Sequence, residues 1–160
     1  MKKNGSLFYI VALTTALIQA EDVDFSLPDT EDTVVTLSDY RGKIVVLDFW
    51  ATWCASCYKA FPILNEIQDS LHNDGVVLGI NLEKINNKKL GRFVQRAKIR
   101  YTVLKDPNGE TAKQFGVKGL PSIVVIDTTG SVVKLFRGVD KNTEKGLLQA
   151  LDSLTAEQPG

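Results

Sequence analysis

The chain's only two cysteines stand three positions apart in Trp53-Cys54-Ala55-Ser56-Cys57. Sulfurs so spaced can exchange disulfides, hold a soft metal ion or form a structural bridge. They are too few for a Cys-rich structural zinc site and for a scaffold of several bridges. Tyr58, not His, follows the second cysteine, so the c-type haem attachment pattern is absent. A bridge across one helical turn closes almost no loop, and loop closure is how a structural disulfide stabilises. Cu(I) suits a thiolate pair, yet no nearby His or Met completes such a site, the only methionine being Met1. Disulfide exchange is the leading reading. Cu(I) handling is the alternative from another class.

Exchange needs a thiolate as the attacking group. A cysteine at the start of a helix gains one from the unpaired backbone N–H groups and the helix dipole. Cys54 is then the exposed nucleophile. Cys57, a turn later, is the resolving sulfur that attacks the mixed disulfide and releases the partner.

The flanking sequence supplies the elements that would hold such a pair. Residues 44–50 form an almost continuous apolar run broken only by Asp48, which suits a strand buried on both faces of a mostly parallel sheet. A helix is expected over 55–72, where Ala60, Leu64, Ile67 and Leu71 recur at helical spacing beside Phe61. Pro62 falls inside that span and should kink it.

Further strands are expected at 24–27, 34–37, 76–82 and 101–104, and a hairpin at 122–127 and 132–137. Asp106-Pro107-Asn108-Gly109 reads as a turn. A second amphipathic helix is marked by Leu90, Phe93, Val94 and Ala97, and a short one by 111–115. The last spans 143–156 with Leu147, Leu148, Leu151 and Leu154 inward, capped by Asn142 or Thr143. The expected fold is an α/β domain, a mixed sheet flanked by helices.

The N-terminus reads differently. Lys2 and Lys3 precede an apolar stretch over 7–18, and the chain turns acidic from Glu21. That pattern fits a secretory signal over residues 1–20, cleaved near Ala20 or retained as an anchor, ahead of one domain over 21–160. The stretch is short of the roughly 20 residues of a comfortable span. The whole chain balances 19 basic against 19 acidic residues, which gives no reason to expect nucleic-acid binding.

The run from Val46 through Asp48, Trp50 and Trp53 to Cys57 resembles the active-site block of thioredoxins. Leu37-Ser38-Asp39-Tyr40-Arg41-Gly42-Lys43 and Phe115-Gly116-Val117-Lys118-Gly119-Leu120-Pro121-Ser122 resemble the TlpA/ResA branch of exported thioredoxin-like proteins. The resemblance implies a thioredoxin-like fold with an N-terminal β-hairpin and a helix–strand insertion between Glu83 and Leu104. It implies thiol:disulfide oxidoreductase activity on protein partners in the periplasm, with no bound cofactor and with electrons from a membrane thiol carrier. Reduction is the direction expected, with oxidation or isomerisation as the alternative.

The resemblance also assigns roles. Pro121 is the cis-proline opposite the cysteines, and the Leu120 backbone pairs with the partner's peptide. Trp53 belongs to the contact surface, while Trp50 packs beneath. Asp48 is the buried acid that moves the proton of Cys57. Two departures stand out. Ala60 occupies the place where ResA-like proteins carry a glutamate, which argues against a specific role in cytochrome c maturation. Gly79 stands where thioredoxins often place a lysine near the buried acid.

Between Glu83 and Asp106 eight basic residues occur with no acid. Lys88, Arg92 and Arg96 share one helical face. Such a face is ordinarily solvated; docking to an acidic partner or transient contact with an anionic membrane surface is the alternative. His72 reads as a surface residue.

Overall fold

The computed structural model describes residues 23–156. The leader expected over 1–20 lies outside them. Two short strands, β1 (Ser26–Pro28) and β2 (Val34–Thr36), pair antiparallel as the expected N-terminal hairpin. A 3₁₀ turn, Leu37–Tyr40, leads into β3 (Ile44–Trp50). There follow α1 (Ala60–Leu71), β4 (Gly75–Asn81), α2 (Asn87–Arg96), β5 (Thr102–Lys105) and α3 (Glu110–Gln114). The described residues end with β6 (Ser122–Ile126), β7 (Val132–Arg137) and α4 (Lys141–Ala156).

Five strands form one mixed sheet in the order β5-β4-β3-β6-β7. β4 runs parallel to both β3 and β5, whereas β6 runs antiparallel to β3 and β7. All seven residues of the central strand β3 are buried, as its unalternated apolar run requires. Alternate side chains feed two cores. Ile44, Val46 and Trp50 join Phe61, Leu64, Leu90, Phe93, Leu147 and Leu151 on one face, together with both cysteines. Val45, Leu47 and Phe49 pack on the other with Phe25, Leu37, Ala112 and Phe115. The α2–β5 insertion is present, and β5 forms the sheet edge beyond β4.

Three expectations are corrected. The helix expected from residue 55 begins instead as a 3₁₀ turn, Ala55–Lys59, and becomes α-helical only at Ala60. Pro62 thus lies in the first turn of α1, where its missing N–H costs no hydrogen bond, and the break falls before it rather than as a kink within a helix. Leu148 is solvent-exposed, because its neighbour Leu147 already takes the inward position. Finally, α4 is capped by Asp140, whose Oδ1 accepts from the Thr143 N–H at 2.8 Å and its hydroxyl at 3.1 Å.

Candidate active site

The cysteines sit where β3 ends and the 3₁₀ turn begins. Cys54 occupies the N-cap position, and its carbonyl accepts the Cys57 N–H at 3.1 Å. The two sulfurs form a disulfide with an S–S distance of 2.11 Å. Cys54 is 5% exposed and Cys57 is 0% exposed. The nucleophile expected to be exposed is therefore nearly covered in the disulfide form, though it remains the outer sulfur of the two. The Ser56 hydroxyl lies 3.5 Å from Cys54 Sγ. The loop before the pair is anchored by Glu83, whose carboxylate accepts the Thr52 N–H at 2.6 Å and the Thr52 hydroxyl at 2.9 Å.

The two tryptophans differ in exposure. Trp53 is 72% exposed, whereas Trp50 is fully buried. Trp50 stacks on Phe93 with ring centroids 5.3 Å apart and meets Phe61 edge-on. The Leu120–Pro121 bond is cis. Pro121 directly precedes β6, whose first residue, Ser122, pairs with Phe49 near the end of β3. Leu120 and Pro121 thus lie at the same end of the sheet as the cysteines. Leu120 packs against the core cluster that contains both sulfurs. Its own N–H and C=O have no hydrogen-bond partner among the described residues.

Asp48 is completely buried, on the β3 face that also carries Trp50. Its Oδ2 accepts a hydrogen bond from the Tyr101 hydroxyl at 2.8 Å, while Oδ1 has no partner among the described residues. Desolvating a carboxylate costs several kcal/mol, and one hydrogen bond to a charged group returns about 1.5–3. Desolvation wins, so the Asp48 carboxyl is pushed up to about 7, with Tyr101 pulling the other way. Burial first, and then the Asp48 charge, lift the Tyr101 hydroxyl well above its ordinary range. Tyr101 therefore stays a donor at any physiological pH.

Tyr101 is the residue that sequence reasoning missed. Gly79 pairs in register with Asp48 on the neighbouring strand. A Cβ on Gly79 would stand 2.9 Å from both the Tyr101 ring and Trp50 Nε1. The absence of a side chain at that position admits the tyrosine ring. A neutral hydroxyl replaces the cation, and the unusual glycine was its only trace in the sequence. Among the described residues, no group of three or more His, Cys, Asp or Glu comes together to hold a metal ion.

A five-stranded mixed sheet with a disulfide opening the helix after its central strand, and a cis-proline before the next strand but two, defines a thioredoxin-like redox protein. Residues 18–135 match the AhpC/TSA family. The ResA thiol-disulfide oxidoreductase of Geobacillus thermodenitrificans is 33% identical over 88% of this chain and 80% of its own length. That of Bacillus thuringiensis subsp. konkukian is 31% identical over 97% and 99%. Among solved structures, a DsbE-type thiol:disulfide interchange protein from Chlorobium tepidum superposes with a TM-score of 0.77. It shares 34% identity, covering 83% of this chain and 94% of the other. The exposed lipoprotein thioredoxin of Streptococcus pneumoniae gives 0.72 at 31% identity, over 82% and 100%. The chain belongs to the AhpC/TSA family, and within it the chain is a thiol:disulfide oxidoreductase.

Proposed function

We propose that the protein reduces disulfides of protein partners on the extracytoplasmic side of the membrane. Cys54 thiolate attacks the partner disulfide, forms a mixed disulfide and releases the partner's first thiol. Cys57 then attacks Cys54 Sγ, releasing the second thiol and closing the Cys54–Cys57 bond. Two electrons pass from the protein to the partner. The signal-like pattern at residues 1–20, and a relative described as an exposed lipoprotein, support export. No helix among the described residues is long and apolar enough to cross a membrane. In an oxidising compartment the disulfide must be reopened, which calls for a membrane thiol carrier.

The observation that carries the reductive reading is Asp48. As a carboxylate beneath the site, half-titrated near neutrality, it takes the Cys57 proton when that sulfur must attack. Trp53 offers an exposed ring for the partner to cover, and the unpaired Leu120 backbone offers one strand-like rung. The test is a redox titration in glutathione or dithiothreitol buffers, read through Trp50 and Trp53 fluorescence. A midpoint near that of thioredoxin, about −270 mV, supports a reductase; one near about −120 mV makes the protein an oxidant.

A further inference from the structure

Part of the basic run of the insertion borders a cleft. Lys89, Arg92 and Arg96 line a cleft together with Gln95, Thr52, the half-buried Ile85 and the buried Phe93. An adjoining depression shares Thr52, Phe93 and Arg96 and adds Tyr58. Thr52 lies two residues before Cys54 and Tyr58 one after Cys57, so the cleft opens beside the redox pair. The three cations are exposed, and none has a carboxylate within 4.0 Å among the described residues. Lys84, Lys88 and Lys98 likewise have no carboxylate within 4.0 Å among the described residues, but they do not line the cleft, and the two remaining cations of the basic run are paired. Arg100 pairs with Asp69, and Lys105 with Asp32 at 2.7 Å. Glu83, the nearest acid in sequence, is held by Thr52 and Asn81.

We propose that this cleft receives an extended, acidic segment of the partner polypeptide, close in sequence to the cysteine presented to Cys54. This rests on the reduction of protein disulfides proposed above. Lys89, Arg92 and Arg96 lie at i, i+3 and i+7 and so stretch about 10 Å along α2. Three or four residues of extended chain match that length and place two side chains on one face. Acids at alternate positions would meet the cations, and an apolar residue beside them would cover Phe93 and Ile85. A concave cleft lined in part by apolar side chains fits a peptide; a flat lipid surface would meet cations on a protruding face.

The test uses peptides joined through one cysteine to a chromogenic aryl thiol, flanked by Asp, Lys or Gly/Ser. Prereduced protein reacts with each in a single turnover. It gives up two electrons, releases the peptide thiol and the aryl thiol, and becomes the Cys54–Cys57 disulfide. At low salt the Asp-flanked peptide should react about tenfold faster than the Lys-flanked one, an advantage that shrinks at about 0.5 M salt. The Lys89→Glu/Arg92→Glu/Arg96→Glu variant should reverse the order of the Asp and Lys peptides when each rate is divided by that on the Gly/Ser peptide, and an unchanged far-UV circular dichroism spectrum shows that it is folded. Arg96→Gln alone should lower the preference part-way. Equal Asp and Lys rates in the wild-type protein, or a preference that survives charge reversal, overturn the proposal. Charge-dependent binding to phosphatidylglycerol vesicles, with peptide rates indifferent to flanking charge, overturns it in favour of a membrane. Failure on all three peptides overturns the exchange reading itself.

Discussion

The two sides of the cysteine pair are built on opposite principles. Beneath it, Asp48, Trp50, Gly79 and Tyr101 are held by the register of β3 and β4 and by the approach to β5, away from water. Around it, Trp53, Tyr58 and the cations of α2 stand exposed on turns and a helix. The inner side holds few groups, each with one permitted geometry, so it can set a proton's affinity. The outer side offers area and charge, so it can favour partners without fixing a single one. Proton handling and recognition should therefore respond separately to mutation.

The sharpest way to break that division is at the sulfurs. Cys57→Ser should abolish turnover while leaving the first attack intact, trapping a covalent Cys54–partner species visible on a non-reducing gel. Cys54→Ser should trap nothing. Next in size, Asp48→Asn should slow release of the partner about 100-fold at pH 7, in the range of a lost general base. In the native protein that step should quicken as pH rises through about 7, since only the carboxylate accepts a proton. The variant should lose this limb. Encounter with the partner, an outer-side property, should be unchanged.

The same buried acid makes a prediction for stability. Its folded value, about 7, lies above the 3.8 of an unperturbed carboxylate. The folded state therefore holds the proton more tightly, and that stabilisation is full below pH 3.8 and lost as pH rises through about 7. The difference amounts to roughly 4 kcal/mol. Asp48→Asn keeps an acceptor for Tyr101 and removes the charge, so urea unfolding at pH 8 should show it more stable than the native protein, with little difference at pH 4.

Smaller effects sharpen the contrast. Tyr101→Phe removes the one hydrogen bond that favours the Asp48 carboxylate, so the pH limb of release should move up by about one unit. A structural role alone would lower the rate without moving the limb. Trp53→Ala should raise KM a fewfold for protein disulfides, by roughly 1 kcal/mol of lost contact, and leave kcat and the pH limb in place.

How far the sequence discloses this arrangement follows the same division. The central strand and the acid inside its apolar run are local patterns, and the structure has both; the cysteine segment is legible in place but forms a 3₁₀ turn rather than the start of an α-helix. The hairpin over 122–137 and the separate elements α2 and β5 follow from period and turn chemistry, whereas the N-terminal hairpin and the standing of α2–β5 as an insertion are what the resemblance implies. Tyr101 lies 53 residues from Asp48, and only the parallel register of three strands, β3, β4 and β5, brings them together, which no local pattern encodes. The cap of α4 was misplaced because Thr143, a good cap by type, is itself held by Asp140. Leu147 and Leu148 are equally apolar, and only the packing of α4 on the core decides which faces inward. Burial of Cys54 is likewise tertiary: its turn is drawn into the larger core cluster.

The most direct test of the central claim is a comparison of the two sulfurs in the reduced native protein. A limiting amount of iodoacetamide, followed by peptide mass spectrometry, reads which one is alkylated first. Cys54 should carry nearly all the label at neutral pH, and Cys57 should react only after denaturation. Preferential labelling of Cys57, or two sulfurs equally inert until the protein unfolds, would contradict an outer attacking cysteine and an inner resolving one.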